Sequence, residues 1–187
     1  KVETFAASTF ILFRGISYLD EQLDLQPQQI GLWVGNDFLI SVHAGKSVSV
    51  ERFWQDETEA NHLQHPDQLA LKLLHFASGR YLKHLLEFED RLAQLEDELL
   101  EAVTDDVMKE LVMYRSRLRK LRRVFNYHYQ LAESLWKTGT PHLGSGSDAT
   151  SHLRRDVYDR CERLYSLCNM YYELCGDLVE GHISLSS

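Results

Sequence analysis

The sequence is short of several residue types, and each shortage excludes a class of protein. Its 187 residues include three cysteines, too few for a disulfide framework, which predicts a reducing, cytoplasmic setting. Lys and Arg number 20 against 28 Asp and Glu, a formal net charge of −8, which disfavours nucleic acid as a general partner because phosphate binding needs a positive surface. No apolar run approaches the roughly 20 residues of a membrane-spanning helix.

Sequence motifs of enzyme active sites are also missing. There is no Gly-rich phosphate loop, no Gly-x-Ser-x-Gly turn and no His-Glu-x-x-His pair. The nine His are scattered. His62 and His65, beside Asp67, could bind a metal ion weakly, but a polar loop is the better account. The sequence therefore predicts that the chain is not an enzyme and carries no organic cofactor.

The first third of the chain has the composition of a β-rich region. Residues 9–13 are apolar and β-branched or aromatic, which predicts a strand. Residues 30–34 and 38–42 are two apolar runs around Gly-Asn-Asp, which predicts a hairpin. Residues 49–59 are predicted to form a short helix with its apolar side chains on one face.

Three helices, two of them very long, are predicted for the rest of the chain. Apolar residues at steps of four and three mark a helix over 66–102, about 55 Å long at 1.5 Å per residue. A second stripe over 107–135 has one polar member, His128. Thr104 or Asp105 is expected to cap this second helix.

The cysteines lie in the apolar stripe of the third helix, which is predicted to run from a cap at Asp148 or Ser151 to the end of the chain. Cysteines seven residues apart are separated by about 10 Å, whereas a Zn–S bond is about 2.3 Å, so one ion cannot bridge two of them. We predict that they pack as small hydrophobic residues; a metal site between symmetry-related chains stays open. The stripe consists of Val157, Cys161, Leu164, Cys168, Tyr171, Cys175, Leu178 and Leu185.

Two charged clusters remain to be explained. The second helix carries six Lys or Arg within residues 115–123, and we expect acidic residues of the first helix to neutralise them if the two helices pair. Asp156 and Asp159 lie three residues apart near the start of the third helix, where the helix dipole favours carboxylates. Their spacing alone predicts a solvated first turn with salt bridges to neighbouring arginines.

The segment Arg-Asp-Val-Tyr-Asp at residues 155–159 resembles the CorA family of divalent metal ion transporters, in which this motif opens a long stalk helix. Residues 178–187 are similar to the stretch that leads into the first transmembrane segment of that family. Residues 1–5, 38–42 and 111–135 resemble a strand, a hairpin and an arm helix of its cytoplasmic domain. The resemblance covers nearly the whole chain, and its most specific part is the Arg-Asp-Val-Tyr-Asp motif.

The resemblance implies an α+β fold in two parts. Residues 1–62 would be the C-terminal part of a cytoplasmic α/β domain, a partial β-sheet with a hairpin and a short helix. Residues 63–187 would be a long-helix arm and the stalk helix that leads to the membrane. Further strands before Lys1 and a membrane part after Ser187 are expected, so the chain alone should transport nothing. The whole protein would be a homopentamer in the bacterial inner membrane, with this part on the cytoplasmic face.

The resemblance also implies an ion-sensing, gating role. Mg²⁺ would bind between neighbouring subunits, with Asp156 as the stalk carboxylate and Asp159 assisting, and Glu180 would face the pore axis in a ring of five. Mg²⁺ is the expected ion, with Zn²⁺, Co²⁺ and Ni²⁺ as alternatives. Two other functions stay open: the cytoplasmic domain of a ZntB-like zinc transporter, and a soluble coiled-coil scaffold.

Overall fold

The structure is a computed structural model. It describes residues 1–55, 65–137, 139–144 and 147–186, with the side chains only as far as 182 in the last range. Within this part, an antiparallel β-sheet is followed by helices, so the predicted α+β class is confirmed. The predicted boundary between residues 62 and 63 lies outside the described residues.

The sheet has four antiparallel strands in the described residues, and their spatial order is the order of the chain. The predicted hairpin is present, with Val34 opposite Leu39 and the Gly35 N–H donating to the Phe38 carbonyl at 2.9 Å. The strand predicted at residues 9–13 is longer than expected and pairs on both sides. The strands are β1 Val2–Thr4, β2 Thr9–Leu19, β3 Leu25–Val34 and β4 Leu39–His43.

One face of the sheet packs on the helices. Ile11 and Phe13 of β2 are fully buried in that layer, as alternation along a strand requires. On the opposite face, the rings of Phe10 and Trp33 lie 4.7 Å apart. Side chains of β4 also remain exposed, Val42 among them. The described residues thus cover one side of the sheet.

Four helices follow the sheet in the described residues. The three long ones have 36, 33 and 39 residues, so all three are very long, where two were predicted. The short helix ends at Gln55, and the remainder of its predicted range lies outside the described residues. Over the part of the chain described, no helix is long and apolar enough to cross a membrane. The helices are α1 Val48–Gln55, α2 Pro66–Glu101, α3 Asp105–Lys137 and α4 Asp148–Ser186.

The helix caps agree with the sequence at α3 and differ at α4. Thr104 Oγ1 accepts a hydrogen bond from the Val107 N–H at 3.3 Å, so Thr104 is the cap of α3. At α4 the cap is Ser147, whose Oγ accepts from the Thr150 N–H at 3.2 Å. The prediction of Asp148 or Ser151 was wrong because the residue that reaches the N–H three positions ahead is Ser147.

The cysteines are packed as predicted. Helix α4 contacts both α2 and α3, and Cys161, Cys168 and Cys175 are fully buried free thiols in its seam. Burial raises the pKa of each to about 12. A metal site between chains through these thiols is therefore disfavoured, because metal binding needs an accessible thiolate.

The seam of α4 is filled by its own chain. Its buried residues pack in two cores with side chains of α2, α3 and the sheet, which argues against a scaffold that offers this seam to partner helices. Near its end the buried residue is Val179, where Leu178 was predicted, because 3.6 residues per turn drift from a strict heptad. The side chain of Leu185 lies outside the described residues.

The polar member of the α3 stripe, His128, lies where the sheet meets the helices. Its ring is fully buried and stacks on Phe13 with ring centroids 4.0 Å apart and planes 8° apart. The edge of Tyr81 lies against it at 5.7 Å. Burial, with the charge of Arg14 as a second cause, lowers the pKa of His128 to about 3. His128 is thus a neutral core residue that joins β2, α2 and α3.

Candidate functional site

The two candidate metal ligands lie on the outer side of α4, about two to three turns after its start at Asp148 rather than in the first turn that was predicted. Asp156 and Asp159 are both exposed, whereas Val157 between them is fully buried. Val157 therefore sets the rotation of the helix and turns both carboxylates outward. Asp159 Oδ2 lies 3.7 Å from Arg155 Nε, the salt bridge that the spacing predicted, but both side chains are more than half exposed, so the pair is weak.

Asp156 lies on the side of α4 that adjoins α2. One turn later, Arg160 Nη1 donates to the His75 carbonyl of α2 at 3.2 Å. Burial lowers the pKa of His75 and the nearby charge of Arg160 lowers it further, while Asp156 acts in the opposite direction. The structure thus places Asp156 near Arg160, one of the neighbouring arginines that the spacing predicted as its partners, and near His75, which the sequence did not associate with it.

The carboxylates do not form a complete metal site within the chain. Over the described residues, no group of three or more His, Cys, Asp or Glu could hold a metal ion. A hydrated Mg²⁺ needs only one or two carboxylates, because it keeps several of its waters. Two exposed carboxylates such as Asp156 and Asp159 could therefore supply part, but not all, of the coordination of a hydrated Mg²⁺.

The weak metal site considered at His62, His65 and Asp67 lies near the start of α2, where Asp67 has a structural contact instead. Asp67 Oδ2 accepts a hydrogen bond from Thr150 Oγ1 at 2.9 Å, so its carboxylate ties α2 to the first turn of α4. His65 precedes Pro66 and makes no side-chain cap bond, and His62 lies outside the described residues. The carboxylate of Asp67 therefore has a structural role between the two helices.

Glu180 lies near the other end of α4 and is paired with α3. Its side chain is 69% exposed, and Oε1 lies 3.4 Å from Arg115 Nη2. The Arg115 guanidinium lies against the backbone of α4 at Gly176, where a Cβ would be 3.0 Å from Nη2. It also lies 5.2 Å from the centroid of the Tyr172 ring. Arg115 of α3 therefore holds the last turns of α4, including Glu180, against α3.

Other basic residues of α3 contact α4 and the turn between β2 and β3, rather than the acidic face of α2 that was predicted. Arg122 lies over the Tyr172 ring at 4.3 Å, and Arg117 Nη1 donates to the Gln22 carbonyl at 2.7 Å. In the bidentate ion pair described between α2 and α3, the cation comes from α2 and the carboxylate from α3, the opposite of the predicted arrangement. Arg91 of α2 donates to both carboxylate oxygens of Glu110 of α3, at 2.8 and 2.7 Å.

Several solved structures have the same fold as this chain. The chain is similar to the soluble domain of CorA from Methanocaldococcus jannaschii, with a TM-score of 0.80 and 18% identity over 96% of this chain and 71% of that one. It matches the complete CorA magnesium transporter of the same organism with a TM-score of 0.76 and 18% identity, over 100% of this chain and 58% of that one. It also matches the ZntB cytoplasmic domain from Vibrio parahaemolyticus, with a TM-score of 0.75 and 13% identity over 98% of this chain and 73% of that one.

At these identities the structural likeness shows the fold, and the chain spans little more than half the length of the complete transporter. A comparison with curated proteins gave no match. The model of the CorA-like Mg²⁺ transporter protein family matches residues 1–187, the whole chain. The chain therefore belongs to the CorA-like Mg²⁺ transporter protein family.

Proposed function

We propose that this chain is the ion-sensing, gating part of a CorA-type transporter of Mg²⁺ or another divalent cation. The whole protein would be a homopentamer of the bacterial inner membrane, with this part on the cytoplasmic face and α4 as the stalk that leads to the membrane. The observation that carries the proposal is the outward position of Asp156 on α4, within the Arg-Asp-Val-Tyr-Asp motif and beside the fully buried Val157.

In this proposal, Asp156 is one ligand of a hydrated divalent cation shared with the neighbouring subunit, and Asp159 assists. Bound cation neutralises the carboxylates at the interface and stabilises the closed pore. When the cation leaves, the negative interfaces repel one another and the closed state loses stability, which is a two-state element that a ligand can bias. Few protein ligands and several waters make such a site weak, as a sensor of millimolar Mg²⁺ requires.

Glu180 has a separate proposed role near the pore. Five such carboxylates around the axis would attract hydrated cations. The contact with Arg115 at 3.4 Å lowers the net charge of each member of that ring. In this proposal, Arg115 therefore limits how strongly the ring holds a cation.

The experiment is a Mg²⁺ titration of ion flux through the full protein in liposomes, for wild type and Asp156→Ala. We expect millimolar Mg²⁺ to close the wild-type pore and to leave the Asp156→Ala pore open. Glu162→Ala is the matched control, because it removes another exposed carboxylate of α4, and it should close as the wild type does. Normal closure of Asp156→Ala would refute the sensor role.

The same measurement decides between the ions. The fold is similar to both a CorA magnesium transporter and a ZntB cytoplasmic domain, so we compare the flux of Mg²⁺, Zn²⁺, Co²⁺ and Ni²⁺. Flux of Mg²⁺ with closure by Mg²⁺ supports the magnesium assignment. Flux of Zn²⁺ with no response to Mg²⁺ would favour the zinc transporter instead.

A further inference from the structure

A positively charged groove lies between α1, α2 and α4, beside the carboxylate of Asp156. Its volume is about 510 Å³, and five Lys or Arg side chains line it. Among the described residues that line it, none is acidic, although the chain as a whole has a net charge of −8. Arg80, Lys83 and Arg160 alone bring three positive charges to one cavity of an acidic chain, which indicates an anion as the ligand.

Two of the guanidinium groups are held in place by backbone carbonyls. Arg80 Nη1 donates to the Ile16 carbonyl at 2.9 Å, and Arg160 Nη1 donates to the His75 carbonyl at 3.2 Å. Each bond uses one of the five N–H donors of the guanidinium. The charge of Arg160 is partly offset by the exposed carboxylate of Asp156 one turn before it, and the remaining donors are available to a ligand. Burial lowers the pKa of both groups, which reflects charge held out of water, although an Arg stays protonated. An oxyanion in the groove would offset that desolvation.

The close approach of Arg160 to α2 depends on Gly79. A Cβ at this position would lie 2.3 Å from Arg160 Nη1, so any larger residue would displace the guanidinium. Lys83, one turn further along α2, also lines the groove, and its Nζ lies 3.7 Å from Glu87 in an exposed pair that is weak. Three cations from two helices thus border one cavity.

The remaining wall of the groove is aromatic. Phe53 of α1 and Phe76 of α2 line it, with ring centroids 5.9 Å apart and planes nearly perpendicular at 86°. A ligand that suits both walls has an anionic end and a flat apolar end. The volume lies in the range of pockets that bind small molecules of nucleotide size.

We propose that this groove binds a nucleoside triphosphate, with its phosphates on Arg80, Lys83 and Arg160 and its base against Phe53 and Phe76. Guanidinium groups suit phosphate because they can donate two parallel hydrogen bonds. The site does not depend on the proposed cation sensing. It is linked to that function by position, because Arg160 and Asp156 are one turn apart on α4.

The test is calorimetric titration of the full protein with adenosine triphosphate in buffer free of divalent metal, so that the cation site is empty in every variant. We expect saturable binding in the wild type and a loss of about tenfold or more in affinity for Arg160→Gln, the usual scale for a charge-assisted hydrogen bond. Arg155→Gln makes the same charge change on α4 at a side chain that is 67% exposed, and it should bind as the wild type does. No saturable binding, or equal weakening by both variants, would overturn the proposal.

Two further arms separate the parts of the site. Gly79→Ala moves Arg160 without removing a charge, and we expect it to weaken binding too; wild-type affinity in this variant would contradict the placement of the phosphates. Inorganic tripolyphosphate supplies the charge without the base, and we expect it to bind more weakly than adenosine triphosphate. Equal affinity would refute the contact with Phe53 and Phe76. Thermal melting of each variant shows that it is folded.

Discussion

His128 makes the stability of this protein depend on pH in a way that can be calculated. In the folded chain its pKa is lowered to about 3, from an ordinary value of 6.5, because the ring is fully buried between Phe13 and Tyr81. In the unfolded chain it takes up a proton below pH 6.5. The unfolded state therefore binds more protons as the pH falls, and the free energy of unfolding decreases until the folded pKa is reached.

The magnitude follows from those two values. Between pH 7.5 and pH 5, one such histidine should lower the free energy of unfolding by about 2 kcal/mol. His128→Leu removes this contribution. The free energy of unfolding of the variant, relative to that of the wild type, should therefore rise by about 2 kcal/mol between pH 7.5 and pH 5, whatever the two values are at pH 7.5. Comparing two proteins at each pH cancels the contribution of His75, whose pKa burial also lowers.

The assay is urea denaturation followed by circular dichroism at four or five pH values. Phe125→Leu is the matched control, because Phe125 is buried three residues before His128 on α3 and does not titrate. Its stability should differ from the wild type by the same amount at every pH. Parallel curves for His128→Leu and the wild type would show that His128 is not held neutral, and the reasoning from burial would fail.

Two other predictions concern the buried core. Tyr81→Phe removes a buried hydroxyl that donates to the Arg14 and Gly15 carbonyls at 3.0 Å each; we expect a loss of about 1–2 kcal/mol in urea denaturation, and no loss would mean that these bonds do not stabilise the sheet on α2. The three thiols have pKa values raised to about 12 by burial, so none should react with a thiol reagent at pH 8 in the native state and all three should react after unfolding. Rapid native labelling would contradict the buried seam.

Local pattern predicted the elements of this fold well. The hairpin followed from Gly-Asn-Asp between two apolar runs, and it is present with Val34 opposite Leu39. The helix over 66–102 followed from apolar residues at steps of four and three, and α2 ends at Glu101. Both signals are short in range, because they depend on turn geometry and on the period of one helix. Patterns of this kind also placed the cysteines in a seam.

The contacts that build the sites are of a different kind, and the sequence did not show them. Glu180 and Arg115 are 65 residues apart, and Arg160 and His75 are 85 residues apart. Such pairs depend on the rotation of α4 against α2 and α3. The apolar stripe of α4 determines which face of the helix is buried, but it does not determine which polar side chains meet at the edges of that face. Gly176 is a signal in retrospect, because a glycine within a long helix often marks a close approach by another group.

All three carboxylates that we propose for cation binding lie close to an arginine of the same chain. Asp156 precedes Arg160 by one turn. Asp159 Oδ2 lies 3.7 Å from Arg155 Nε, and Glu180 Oε1 lies 3.4 Å from Arg115 Nη2. An ion pair as exposed as that of Glu180 contributes about 1 kcal/mol or less, so a divalent cation can compete with the arginine for the carboxylate. Such competition would lower the affinity of each proposed site without abolishing it. In a channel that must release its cations and sense them at millimolar concentration, neighbouring arginines of this kind would keep cation binding weak and reversible.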